Sequence, residues 1–534
     1  MPTNVVIVVA DDLGYSDVGC YGGEIRTPNI DELGRTGVRL SNFYNTARCS
    51  PSRASLLTGL HPHQAGVGVL TVDDRPEGYR GALNDRCVTL AEHLAAAGYR
   101  TAMFGKWHLS SDRRNPNEAW PTRRGFETFW GMITGSSSYF DTKTLFEGEV
   151  CVDGEADDPD FYLTTAITRR TVHYLNGHLQ SPDAAPFFVY VPYSAPHWPL
   201  HAPGDAIAAC AGMFDRGWDQ LRQDRFDRLI EERILLDSLG LSERDPRIQP
   251  WSEVENRVWQ QRRMEVYAAQ VELIDRGVGE IVGTLRHHSA LADTLFFFLS
   301  DNGASDEELP LEPWDIVSRN VDGFPPETNE GNPIHFGNNV DILPGGADTF
   351  SSYGRVWANL SNSPFRLYKR WVHEGGIATP LIVHWPEGDL RDGSIVHAPC
   401  QLTDIVPTVL EVTGTRPAVP AVDHEVLDAE GVSMLTVLRG GPSVERCLYW
   451  EHVGNCAIRR NDWKLVRVHD GPWELYDLST DRAEEVDLAE RYPAIVDDLA
   501  GRWQCWADRV GVIPFERIEA LYVSRGIDVR RAAG

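Results

Sequence analysis

No stretch of this sequence approaches the ~20 consecutive apolar residues that a membrane-spanning helix needs. Cysteine is sparse and scattered: nine residues, none in a CxxC pair and none clustered as zinc ligands are. That pattern excludes a metal-stapled or disulfide-framed module and reads as free thiols. Positive charge is in deficit, with 50 Lys plus Arg against 78 Asp plus Glu and a net charge of −28. Such a chain has no general affinity for nucleic acid or anionic membrane. Internal repeats and low-complexity tracts are missing too, which removes solenoid and fibrous architectures. The apolar segment 5–10 has no basic flank and runs straight into Asp11-Asp12, unlike a secretory leader. It reads as a first buried strand, and the expected location is cytoplasmic.

What is present is an ordinary folded composition, 42% apolar, 24% charged and 10% aromatic. At roughly 150 residues per domain, 534 residues make two to four domains. Segments 5–10, 101–104, 187–191, 294–299 and 380–385 read as strands, and the unbroken apolar run 294–299 is typical of a central one. Between them lie helix patterns. Segment 88–97 has a capping box at Thr89 and Glu92 and a stop at Gly98. A long helix places Met264, Tyr267, Val271, Ile274, Val278, Ile281 and Leu285 on one face. Segment 403–412 is the next. This alternation predicts an α/β domain with a mostly parallel sheet. Two stretches interrupt it: a charged helical insertion at 215–247, and a Gly-, Pro-, Asn- and Asp-rich loop at 303–352, long enough to be functional or covering. After about residue 430 the pattern changes. Strands at 447–451, 457–468 and 473–478 precede a helix with Ile495, Leu499, Trp503 and Trp506 on its core face. The expected division is a large unit over 1–430 and a small α+β unit with an antiparallel sheet over 431–534.

Ligands of open α/β sheets gather at the carboxyl ends of strands. Asp11-Asp12 ends the first strand, and Asp301-Asn302-Gly303 follows the run at 294–299. Three carboxylates and an amide make a hard oxygen site suited to Ca²⁺ or Mg²⁺. An Asp pair alone is weak, since Asp also caps helices; two such clusters at two strand ends favour a metal. Cys49-Ser-Pro-Ser-Arg53 opens a helix-like run, and a helix N-terminus favours anions. Cys49 is then either a buried structural cysteine or a nucleophile, with a thiolate as one form of the latter. Lys106 and His108, His197, and Lys369 before His373 stand after strands or in loops. With Arg53 they supply enough positive or switchable charge to bind a tetrahedral anion.

Cys49-Ser-Pro-Ser-Arg53 followed by Leu-Leu-Thr-Gly resembles the signature of formylglycine-dependent sulfatases. The likeness continues through Val-Ala-Asp-Asp-Leu-Gly-Tyr, Gly-Lys-Trp-His-Leu, Ala-Pro-His-Trp-Pro, Ser-Asp-Asn-Gly and the segment from Lys369 to Gly376. These blocks span most of the first unit and are most similar to bacterial arylsulfatases. The resemblance implies an alkaline phosphatase-like α/β fold: a large mixed, mostly parallel sheet flanked by helices, plus the small C-terminal α+β unit. It implies that Cys49 is converted to formylglycine by a formylglycine-generating enzyme. Asp11, Asp12, Asp301 and Asn302, with residue 49, would hold a divalent ion, calcium in the bacterial relatives. Arg53 would stabilise the hydrated aldehyde, Lys106 and Lys369 would grip sulfate, and His197 would protonate the leaving oxygen. Asp301 would take the attacking hydroxyl's proton, and His108 would collapse the sulfated intermediate. The implied activity is hydrolysis of small sulfate esters. The alternative is hydrolysis of phosphomonoesters, phosphodiesters or phosphonates at the same site. A metal-stabilised binding protein is disfavoured because none of these residues is missing. Candidate substrate-lining segments are 136–140 and 303–352.

Overall fold

The computed structural model of the chain describes residues 3–75, 78–181, 184–236, 239–311, 325–418 and 423–524. Its centre is a ten-stranded sheet. The strand order is Ile395–Val396, Val38–Leu40, Leu381–His384, Thr294–Ser300, Asn4–Ala10, Phe187–Pro192, Arg100–Phe104, Thr128–Met132, Leu145–Glu147 and Val150–Cys151. Asn4–Ala10 runs parallel to both neighbours, and Arg100–Phe104 is parallel to both of its own. Leu381–His384 and Leu145–Glu147 pair antiparallel with theirs, so the sheet is mixed and mostly parallel at its centre, as expected.

Alternation along the strands builds two cores. Val6, Val8, Phe296 and Phe298 face one layer, with Met264, Val271, Ile274 and Val278 of the helix Arg257–His287. Val5, Ile7, Val9, Phe297 and Leu299 face the other, with Leu56, Leu57, Leu94 and Val409 from three further helices. Both faces of the central strands are therefore dry, which explains their unbroken apolar runs. Fully burying each such side chain contributes about 1.5–3 kcal/mol. No described helix is long and apolar enough to cross a membrane.

The C-terminal sheet is antiparallel, in the order Cys447–His452, Asn455–Arg460, Trp463–Arg467, Glu474–Asp477. The expected single strand at 457–468 is thus a hairpin, because Asn461 turns the chain with φ 54°. One face packs Ile458, Leu465 and Leu475 on Leu499, Trp503 and Trp506 of the helix Pro493–Val510. Leu448, Trp450, Ala457 and Val466 on the other face join the large core. The insertion at 215–247 is helical over Gly217–Glu231, and Arg233, at φ 60°, lies just beyond. Among the described residues of 303–352, His335–Phe336 and Thr349–Phe350 pair as short strands; residues 312–324 of that segment lie outside the described residues. All nine cysteines are free thiols.

His201 ties the segment after Phe187–Pro192 to this loop, bonding through Nε2 to the Thr349 carbonyl at 2.5 Å. Burial pushes the ring down to about 4. An unfolded chain takes up that proton near pH 6.5, so stability falls as pH drops from 6.5 toward 4. Between pH 7.5 and 5 this group alone costs about 2 kcal/mol. Urea melts at the two pH values will show a smaller acid loss in His201→Gln than in the wild type.

Candidate active site

Register explains why motifs 290 residues apart meet. Ala10 pairs with Ser300 and Val9 with Pro192. Asp11 and Asp301 therefore leave adjacent strand ends side by side, and the Asp11 amide donates to the Ala195 carbonyl at 3.0 Å. His197 lies just beyond, its Nδ1 bonded to Trp198 O at 2.7 Å. On the next strand outward, Lys106 follows Phe104, and its amide donates to Pro192 O at 2.8 Å. All these side chains converge at the carboxyl edge of the sheet. Gly303 shows how tightly: a Cβ there would meet Gly375 O at 1.9 Å, so only glycine lets the Asn302 turn pass beside the segment carrying Lys369.

Cys49 begins the helix Cys49–Thr58, all of whose residues are buried. Its Sγ lies 3.4 Å from His108 Nδ1. Four residues on, one helical turn away, Arg53 is fully enclosed. Its Nε and Nη2 donate to Asp301 Oδ2 at 3.0 and 2.7 Å, its Nη1 to Lys106 O at 3.0 Å, and Asp11 lies 3.5 Å off. Lys106 Nζ pairs with Asp11. Lys369 Nζ reaches both Asp12 oxygens at 2.9 Å, and His197 Nε2 stands 3.6 Å from the same carboxylate. Asn302 Nδ2 donates to Asp12 Oδ1 at 2.6 Å. The structure thus brings together every residue singled out by sequence: Asp11, Asp12, Cys49, Arg53, Lys106, His108, His197, Asp301, Asn302 and Lys369. Asp12, His108 and Arg370 hold φ values of 67°, 55° and 84°, a sparsely populated backbone region that concentrates at functional sites.

Burial sets the protonation states. It pushes the Cys49 thiol up, outweighing Lys106 and Lys369, which counts against a thiolate nucleophile. It drives His108 well below the ordinary imidazole value, aided by Lys106 and Arg53, which favours the neutral ring. His197 is lowered by burial as well. Burial raises Asp11, but Lys106, His197, Arg53 and Lys369 overcome it and hold the group at about 2. Asp301 is raised to about 7 by burial and the charge of Asp11.

A divalent ion fits this donor set. Asp11 Oδ1 and Asn302 Oδ1 are buried with no hydrogen-bond partner among the described residues, and both are hard oxygens. Asp11, Asp12 and His197 each bring one ligand atom within 4.8 Å of the others. His197 was singled out for sulfate, so its nearness to the metal candidates is new. Sequence reasoning also missed Arg48, Glu307, Arg370 and His452, which surround the site.

The family model for sulfatases matches residues 3–415. The chain belongs to the sulfatase family. A second model, described as the C-terminal part of N-sulphoglucosamine sulphohydrolase, matches residues 365–503. The sulfatase is 33% identical to an uncharacterized sulfatase of Schizosaccharomyces pombe over 96% of this chain and 94% of that one. It is 32% identical to an arylsulfatase of Klebsiella aerogenes, covering 81% and 91%. Among solved structures, the enzyme superposes on Ps i-CgsB in complex with k-i-k-neocarrahexaose with a TM-score of 0.66, at 23% identity over 95% and 93%. A phosphonate monoester hydrolase of Agrobacterium radiobacter gives 0.57, at 19% identity over 95% and 96%. These two likenesses are of fold.

Gly135 supplies a test of the geometry. A Cβ on it would lie 2.5 Å from Cε1 and Nε2 of His108, so the ring must move. Gly135→Ala will lower aryl sulfate turnover about a hundredfold, while the melting temperature stays near that of the wild type.

Proposed function

We propose that this sulfatase cleaves sulfate monoesters to an alcohol or phenol plus sulfate, using residue 49 in its formylglycine form. The observation that carries the reading is Cys49 at a helix start, 3.4 Å from a neutral His108 and ringed by Arg53, Lys106 and Lys369. A sulfate monoester repels anionic nucleophiles, so such a ring of cations is what its cleavage requires. Lys106, Lys369 and His197 hold the sulfuryl oxygens. One hydroxyl of hydrated residue 49 attacks sulfur and gives its proton to Asp301. The bond to the leaving oxygen breaks, and that oxygen takes a proton from His197 in its imidazolium form, which the Asp12 carboxylate 3.6 Å away favours. His108 then takes the proton of the second hydroxyl, the carbon–oxygen bond to sulfate breaks, and the aldehyde returns. Arg53 offsets the charge on Asp301 and orients residue 49.

Asp11, Asp12, Asp301 and Asn302, with residue 49, would hold the divalent ion, calcium by the family resemblance rather than magnesium. When bound, it supplies positive charge that polarises the sulfuryl group. Conversion of Cys49 needs a formylglycine-generating enzyme as partner, because the chain has no means of modifying itself. The division into a catalytic unit over 1–430 and a smaller one over 431–534 belongs to the same proposal.

Protein made with and without that partner enzyme tests the reading. Mass spectrometry of the peptide containing Cys49 will show aldehyde in the first sample and thiol in the second. Aryl sulfate hydrolysis will follow the aldehyde fraction and exceed phosphodiester and phosphonate hydrolysis. Full activity with an unmodified thiol would falsify the mechanism, and faster phosphonate cleavage would transfer the site to the alternative substrates. Separately, chelation will abolish turnover and calcium add-back will restore it; indifference to both removes the metal.

A further inference from the structure

The hairpin between strands Cys447–His452 and Asn455–Arg460 turns through Val453 and Gly454, at φ 47° and 84°. Asn455 Nδ2 donates to Arg370 O at 3.1 Å, fastening the turn to the residue after Lys369. His452, at the start of the turn, is 1% exposed. It hydrogen-bonds to the Gly68 backbone, while its Nδ1 is buried with no partner among the described residues. Arg48 and Arg370 direct their positive charge at this ring. Arg48 reaches Glu307 at 3.4 Å and Arg370 reaches Asp306 at 3.2 Å, yet the Nε of each is buried without a partner. Two arginine donors and one ring nitrogen thus stand unsatisfied around His452, a costly arrangement unless a ligand completes it. His452 and Arg370 are as enclosed as Cys49 and Lys369, and the Arg48 side chain is 11% exposed.

The chemistry of the missing partner follows from theirs. A neutral imidazole that donates through one nitrogen to a carbonyl presents the other as an acceptor. Guanidinium Nε can only donate. The ligand group must therefore accept from arginine and donate to His452, which a hydroxyl does and a carboxylate or methyl does not. Arg48 pairs with Glu307, which also accepts from the Trp198 indole beside His197, so this hydroxyl lies on the side of the leaving oxygen. We propose that Arg48, Arg370 and His452 bind the alcohol half of the substrate, and that the preferred alcohol carries a hydroxyl adjacent to the sulfated oxygen. This rests on residue 49 being the nucleophile. It makes the C-terminal sheet a source of substrate specificity.

Catechol monosulfate and phenyl sulfate differ by one hydroxyl beside the ester and serve as the probes, with enzyme whose residue 49 is converted. The wild type will favour catechol monosulfate in kcat/KM. His452→Phe will lower that preference about tenfold, whereas His452→Asn, whose side-chain oxygen accepts a hydrogen bond, will keep most of it. A folded His452→Phe with the wild-type ratio overturns the subsite while leaving the nucleophile intact. If His452→Phe does not fold, Arg48→Gln carries the comparison with the same two outcomes. Wild-type enzyme that cleaves neither ester, despite conversion of residue 49, overturns the nucleophile and the subsite together.

Discussion

Mutual neutralisation of buried charge governs this molecule's site. Asp11, Asp12 and Asp301 are enclosed, and so are Arg53, Lys106 and Lys369. No charge among the six could stay there alone; removing one partner of such a pair typically costs about 3–5 kcal/mol. Each depends on chain segments far apart in sequence, so the site forms only when the whole sheet does. The carboxyl groups and the cations there are matched in number, three of each. A sulfate ester brings a further negative charge, which a divalent cation would help to offset. The overall charge of −28 is a property of the surface and has no bearing on this pocket.

Much of this was legible in the sequence, for a physical reason. Central strands buried on both faces must be apolar throughout, so 5–10 and 294–299 stood out, and acids at their ends marked the ligand edge. What could not be read was pairing. Nothing local says that Leu381–His384 runs antiparallel, or that Asn461 splits a stretch of strand-forming residues into a hairpin. The ten residues that converge at this edge stood out because their motifs are compact. His452 was not, because an isolated histidine at a hairpin turn carries no local signal; only the fold brings it beside Arg48 and Arg370. Likewise, the nearness of His197 to Asp12 follows from strand register alone.

A second buried network joins the two sheets. Lys464, from the C-terminal sheet, bonds Glu374 at 2.9 Å and Glu484 at 2.8 Å, and all three are fully enclosed. Tyr44 and Arg482 complete the set around Glu374 at 2.9 and 3.0 Å. Glu374 opens the short helix Glu374–Ile377, whose Gly376 carbonyl accepts from the Gly303 amide at 3.1 Å. The smaller sheet therefore braces the segment that carries Lys369 and, through it, the turn at Asn302. One face packs on the helix Pro493–Val510, while Lys464 on the other fixes geometry.

The position of Lys464 has a consequence in time. A ribosome delivers Cys49 more than 400 residues before Lys464 and Glu484. Until those late residues emerge, Glu374 has no ammonium to neutralise it and the Lys369 segment has no brace. A nascent chain can hold the signature around Cys49 open long before the surroundings close over it. Assembly therefore leaves a window, closed in the finished molecule, in which residue 49 is open to contact from outside the chain.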